Sequence, residues 1–230
     1  MKIVKHIPNA LTCVNLLLGC LAIIEIFTGD LSHVIYYTML AGIADFFDGF
    51  AARMLKVQSD IGKDLDSLAD LVSFGLVPSL VMFQLIKSST ANDVVPYFAL
   101  IIAVLSGVRL ARFNNDSRQT DHFHGLPVPA NALFLCPLPI LVEASILDQT
   151  LTNPYVLLSI SVVMALLLVT DIEMLALKFK GFGWRGNELK YLIMLLSIVG
   201  FTTYQWVAFP FIILLYILTS IFTSLFSANN

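Results

Sequence analysis

Asp45, Asp48, Arg53, Asp66 and Asp70 put four carboxylates and a guanidinium into one short stretch of an otherwise apolar chain. At about 100° per residue, Asp48, Gly49, Ala52 and Arg53 project at about −60°, +40°, −20° and +80° from Asp45. All five share one helical face, and the smallest residues sit among the charged ones. Gly62, Asp66, Asp70 and Ser73 form a second such face, at about −40°, 0°, +40° and −20° from Asp66. Two helices joined by a short connection are antiparallel neighbours, so the acidic faces can converge. An all-oxygen ligand set with no His or Cys nearby favours a hard cation, Mg²⁺ or Mn²⁺. Four Asp residues can hold two such ions a few ångströms apart, the arrangement that clamps phosphoryl oxygens. The glycines and Ala52 leave room for a bulky phosphate ligand, and Arg53 offers it a planar fork.

The elements that must position these groups are membrane helices. Hydrophobic residues make up 58% of the 230, charged residues 13%, and the mean hydropathy is +0.86, too apolar for a soluble core. Eight segments approach the roughly 20 apolar residues of a spanning helix: 10–28, 34–55, 66–86, 95–113, 129–147, 154–170, 188–204 and 208–226. The division near Gln205 is the shortest link. With both termini cytoplasmic, Lys2, Lys5, Arg53, Lys56, Lys63, Arg109, Arg112, Arg118, Lys178, Lys180, Arg185 and Lys190 collect on the cytoplasmic side. That is twelve of the thirteen basic residues, with Lys87 alone outside. The positive-inside rule therefore predicts an all-α, polytopic membrane helical bundle of about eight transmembrane helices, both termini cytoplasmic. One domain is expected over 1–230, with its motif core at 45–70. The net charge of −3 says little about partners, and no nucleic-acid partner is expected. Cys13, Cys20 and Cys136 lack metal-ligand spacing and read as buried reduced thiols.

Each carboxylate would cost roughly 2.5–3.5 kcal/mol at the bilayer centre on insertion scales, and like charges add repulsion. Only a strong cation or a paired proton makes the constellation tolerable. A cation transporter with a midplane ion site would also use acidic residues, but Arg53 is an awkward neighbour for a bare cation path.

The pattern D-x-x-D-G-x-x-A-R-x8-G-x3-D-x3-D, met by Asp45, Asp48, Gly49, Ala52, Arg53, Gly62, Asp66 and Asp70, resembles the signature of the CDP-alcohol phosphatidyltransferase family. The resemblance implies transfer of a phosphatidyl group from a CDP-linked lipid to an alcohol, with release of CMP. It implies one metal on Asp45, Asp48 and Asp66, a second among Asp45, Asp66 and Asp70, and Asp70 as general base. Gly49, Ala52, Arg53 and Gly62 would bind the CDP-lipid. The first-helix stretch Pro8 to Gly19 also resembles the family's and adds Asn15, with Thr12, to that set.

The blocks Leu71 to Pro78, Arg109 to Asn114 and Phe123 to Asn131 resemble the integral-membrane phosphatidylserine synthase branch. They imply CDP-diacylglycerol as donor and L-serine as acceptor, with Ser73, Arg109 and Arg112 at the serine site. A zwitterionic acceptor independently needs a cation for its carboxylate, which Arg109 and Arg112 can supply. Glycerol 3-phosphate or inositol phosphate as acceptor, and an archaeal-type CDP-lipid as donor, stay open. The resemblance also implies a homodimer. Gly125-Leu-Pro-Val-Pro129 reads as a rigid re-entry into the fifth helix. His122 and His124 read as exposed loop histidines, and Lys178 to Arg185 as a headgroup-level anchor attracted to membrane lipids.

Overall fold

The computed structural model describes residues 6–57, 59–115, 123–146, 148–175, 183 and 187–227. Lys2, Lys5, Arg118, His122 and most of the basic-aromatic stretch Lys178 to Arg185 lie outside the described residues.

The first helix, α1 (Ile7–Thr28), begins with Pro8, whose missing N–H is harmless in a first turn, and stops at Gly29 in a left-handed conformation (φ 96°). A tight turn (Leu31–His33) leads into α2 (Val34–Leu55), which ends with Lys56 at φ 53°, its N–H bonded to Ala52 O. The Ser59 hydroxyl then caps α3 (Asp60–Asp70) by accepting from Gly62 N–H at 3.1 Å, with Asp60 in the positive first turn. A π-helical turn (Leu71–Leu76) carries the chain unbroken into α4 (Val77–Ser89). A 3-10 segment (Val95–Leu100) opens α5 (Ile101–Asn115).

The second half is more broken. The strand β1 (Phe123–His124) precedes α6 (Val128–Leu135), α7 (Leu138–Glu143), α8 (Asp148–Leu151) and α9 (Pro154–Val169). The strand β2 (Glu173–Met174) precedes α10 (Glu188–Tyr204) and α11 (Ala208–Ser227).

Among the described residues, five helical stretches are long and apolar enough to cross a membrane: Ile7–Thr28, Leu31–Leu55, Asp60–Ser89, Val95–Asn115 and Glu188–Leu225. Val128–Glu143 and Pro154–Val169 are shorter apolar stretches. Phe27, Leu40, Phe46, Val104, Leu195 and Leu218 are exposed on these helices, as lipid-facing side chains would be.

Glu188–Leu225, 38 residues, would be about 57 Å long if straight, against a hydrocarbon core of about 30 Å. It is broken at Gln205 (φ 50°, ψ −129°). A Cβ on Gly200 would lie 3.3 Å from Ala208 Cβ and 3.6 Å from Ile212 Cδ1, so α10 and α11 fold back on each other. The division expected near Gln205 is therefore real.

Two expectations are corrected. The segment 129–147 is not one helix: Pro137 and Pro139 remove backbone donors, and α6 gives way to α7 at Cys136–Pro137. Cys13 and Cys20 lie on the exposed face of α1, and only Cys136 is buried. The re-entry before α6 is held by strand pairing, with Phe123 opposite Met174 and His124 opposite Glu173. Gly125 N–H donates to Ile172 O at 2.9 Å, and Leu126 N–H donates to Leu167 O at 2.8 Å.

Gly125 has φ +74°, and a Cβ there would lie 2.6 Å from Leu168 O and 3.0 Å from Thr170 O. Gly125→Ala adds left-handed backbone strain to a clash with main chain. It is expected to cost roughly 2 kcal/mol or more, read as a lowered thermal midpoint of the detergent-solubilised protein. An unchanged midpoint would mean that the clip opens freely.

Candidate active site

Helices α1, α2 and α3 build one acidic cleft. The stripe Pro8, Thr12, Asn15 and Gly19 is the buried face of α1, and α1 packs along both α2 and α3. Ser73 sets the approach, because its hydroxyl donates to Asn15 O at 2.9 Å and a Cβ on Gly19 would overlap it. Ser73 is fully buried and fastens the π turn to α1.

Carboxylate oxygens of Asp45, Asp48 and Asp66 lie within 4.8 Å of one another. Asp48 is buried and accepts from the Thr12 hydroxyl at 2.6 Å, with Pro8 O a second acceptor at 3.1 Å. Asp45 sits against both Asp66 and Asp70. Asp70 accepts from Asn15 Nδ2 at 3.2 Å. Asp66 Oδ1 is buried without a partner among the described residues.

Three mutually repelling carboxylates, one with an orphaned oxygen, fit a hard divalent cation. Asp45, Asp48 and Asp66 are the residues that would hold it. Asp70 stands beside that trio through Asp45 and Asn15 rather than within it.

Next to the trio opens a cleft of about 450 Å³, lined by Asp48, Gly49, Ala52, Arg53, Gly62 and Asp66 together with Asn9 and Lys63. The two helical faces expected from sequence meet in it. A Cβ on Gly62 would lie 3.1 Å from both Asn9 Oδ1 and Ser59 Oγ, so a larger residue there would narrow the cleft.

Sequence reasoning missed Asn9 and Lys63 as lining residues. Asn9 stands one turn before Thr12 in an apolar helix, and Lys63 one turn before Asp66, which is the available signal. Lys63 Nζ also donates to Asn114 O at 2.6 Å, and Asn114 Nδ2 to Ser67 Oγ at 2.7 Å, tying α3 to the end of α5.

Of the residues assigned to an acceptor, Arg109 is the one that feels the charge of a site carboxylate, Asp70. It is largely enclosed, lies in the field of Asp70 and Tyr216, and its Nε has no partner among the described residues. Arg112 is exposed and donates to Val169 O at 3.2 Å, which ties α5 to α9. His124 is half-buried rather than exposed, its Nδ1 lying 3.2 Å from Asp171 O.

A second titratable group, Glu25, Asp30 and His33, stands at the far end of α1. It is internally paired, with His33 Nδ1 at 3.0 Å from Asp30 and 3.5 Å from Glu25. The Ser32 hydroxyl donates to Asp30 and holds that exposed carboxyl below its ordinary range.

The CDP-alcohol phosphatidyltransferase family model matches residues 5–225. Three similar proteins carry the name CDP-diacylglycerol–serine O-phosphatidyltransferase. That of Bacillus subtilis is 33% identical over 129 residues, 54% of this chain and 70% of the relative. That of Methanocaldococcus jannaschii is 30% identical over 167 residues, 73% of this chain and 72% of the relative. That of Helicobacter pylori is 28% identical over 194 residues, 84% of this chain and 80% of the relative.

Proposed function

The chain belongs to the CDP-alcohol phosphatidyltransferase family, and from that premise we propose that it moves the phosphatidyl group of CDP-diacylglycerol onto the hydroxyl of L-serine, releasing CMP. The observation that carries this reading is the meeting of the Asp45–Asp48–Asp66 trio with the cleft that Gly49, Ala52, Arg53 and Gly62 line. Family membership retires the transporter alternative.

In this reading the cleft takes the CDP moiety. Gly49, Ala52 and Gly62 let it approach the backbone, while Arg53 and Lys63 face its phosphates. Asp45, Asp48 and Asp66 would hold one divalent cation and Asp45, Asp66 and Asp70 a second, and these would supply charge neutralisation for the diphosphate and for departing CMP. Asp70 takes the proton from the acceptor hydroxyl as its oxygen bonds to the phosphatidyl phosphorus and the bond to CMP breaks. Asn15 holds the Asp70 carboxylate in place, and Thr12 does the same for Asp48. Arg109 faces the acceptor's carboxylate. Ser73 and Arg112 act in helix packing, since their hydrogen bonds go to main-chain carbonyls.

The relatives' names support serine as acceptor. The partition of basic residues supports a cytoplasmic membrane location with both termini and the cleft facing the cytoplasm. The break at Gln205 and the short apolar helices support about eight crossings. The family match supports a single catalytic domain over 1–230, and the family resemblance extends the reading to a homodimer.

Purified protein given CDP-diacylglycerol and Mg²⁺ or Mn²⁺ is expected to release CMP only when serine is added. Release with glycerol 3-phosphate or inositol phosphate, and none with serine, would overturn the acceptor.

A further inference from the structure

Arg53 and Lys63 are the two basic side chains that line the cleft, alongside Asp48 and Asp66. Among the described residues neither forms a salt bridge with a carboxylate; the salt bridges are those of His33. Cations held beside acidic groups without pairing to them are presented to an anion from outside.

The two are held in different ways. Arg53 folds back along its own helix, its Nη1 only 3.6 Å from where a Cβ on Gly49 would stand. Lys63 is moored to a second helix through a closed circuit of hydrogen bonds. Its ammonium donates to Asn114 O at 2.6 Å, the Asn114 amide donates to Ser67 Oγ at 2.7 Å, and the Ser67 hydroxyl donates to Lys63 O at 3.2 Å. Ser67 stands one turn after Lys63 on α3, and Asn114 lies in the last turn of α5. Of the three, Lys63 alone lines the cleft.

Helix capping accounts for the first of these bonds, since a lysine ammonium satisfies a terminal helix carbonyl. It does not account for the return path. Asn115 Nδ2 donates within its own helix, to Ala111 O at 2.9 Å, whereas the neighbouring Asn114 amide crosses to the hydroxyl on α3. The crossing keeps Asn114 O over the Lys63 side chain. An ammonium has three N–H groups, so the bond to Asn114 O leaves two for phosphate oxygens. A lysine stem tethered beforehand has already lost the rotamer freedom that gripping a ligand would cost.

We propose that Asn114 and Ser67 are positioning residues that hold the Lys63 ammonium at the rim of the cleft, where it grips the diphosphate of the donor. The proposal rests on the CDP-linked donor argued above. It makes the end of α5, outside the motif core, part of donor recognition.

The test is steady-state CMP release by the purified full chain with Mn²⁺, varying CDP-diacylglycerol and serine separately. Lys63→Gln is expected to raise the KM for CDP-diacylglycerol about tenfold or more and to leave the KM for serine within about twofold. Ser67→Ala and Asn114→Ala should each raise the donor KM about threefold, and Ser67→Thr, which keeps the hydroxyl, should hold it near the wild-type value. Placed on Lys63→Gln, the two alanine substitutions should add less than about twofold, because residues that act through Lys63 then have nothing to position. A donor KM within twofold of wild type in Lys63→Gln, or in both alanine variants, overturns the proposal. Full additivity with Lys63→Gln also overturns it, since a purely structural tie would act independently of the ammonium. If Asn114→Ala does not fold, the cycle of Ser67→Ala with Lys63→Gln decides alone. Wild-type protein that ignores serine but releases CMP with another acceptor overturns the acceptor reading, and the same donor measurements with that acceptor still decide the role of Asn114 and Ser67. Wild-type protein that releases no CMP with any acceptor overturns the donor reading itself.

Discussion

Asp70→Asn is expected to lower CMP release by about 10²–10⁴-fold, the usual contribution of a positioned general base, while CDP-lipid binding persists. Three features make the substitution selective. The asparagine carbonyl oxygen can still accept from Asn15 Nδ2, so the hydrogen bond at 3.2 Å survives. The trio of Asp45, Asp48 and Asp66 does not include Asp70, so those three ligands stay together. Asp70 also does not line the cleft beside the trio. What the amide loses is basicity, and one negative charge from the Asp45, Asp66 and Asp70 set proposed for a second ion. Titration of the variant with CDP-lipid, followed by its thermal midpoint, checks binding, and single-turnover CMP release checks chemistry. Full activity would remove Asp70 from the base role. Lost binding would make it a donor-site residue instead.

Chelation of divalent cations is expected to abolish transfer, and Mg²⁺ or Mn²⁺ to restore it. The same cations should raise the thermal midpoint without any substrate. Carboxylate oxygens within 4.8 Å of one another repel in the folded protein, and the cation relieves this only in that state. By mass action, a ligand at a hundredfold its Kd stabilises the folded form by about 2.7 kcal/mol. Asp45→Asn should remove most of the metal-dependent midpoint shift together with activity, because Asp45 is the member of the trio in contact with Asp70 as well as Asp66. A midpoint indifferent to metal, with activity that still demands it, would mean that the ion arrives with the nucleotide rather than on the protein.

The acidic site was legible because its information is local. Helical spacing alone puts Asp48, Gly49, Ala52 and Arg53 on one face and Gly62 and Asp66 on another, and both faces line one cleft. The acceptor side was far less legible. Ser73 follows Asp70 on the same helical face, yet the π turn and the close approach of α1 at Gly19 give its proton to Asn15 O. Arg109 and Arg112 are one turn apart and look equivalent in the sequence. One is enclosed near Asp70, while the other bonds the end of α9.

Composition and the fixed spacing of eight motif positions determined by themselves that this chain is a helical membrane protein with a carboxylate cluster suited to a hard cation. Both follow from hydropathy and from the 3.6-residue period, which need no knowledge of distant contacts. Only the tertiary structure decided which three carboxylates converge, where the re-entry is clipped, and which polar side chains are buried without a partner among the described residues. Those outcomes depend on contacts among α1, α2, α3, α6 and the end of α9, with partners up to 98 residues apart, as for Thr38 and Cys136. Sequence periodicity carries no register between helices so distant; packing sets it.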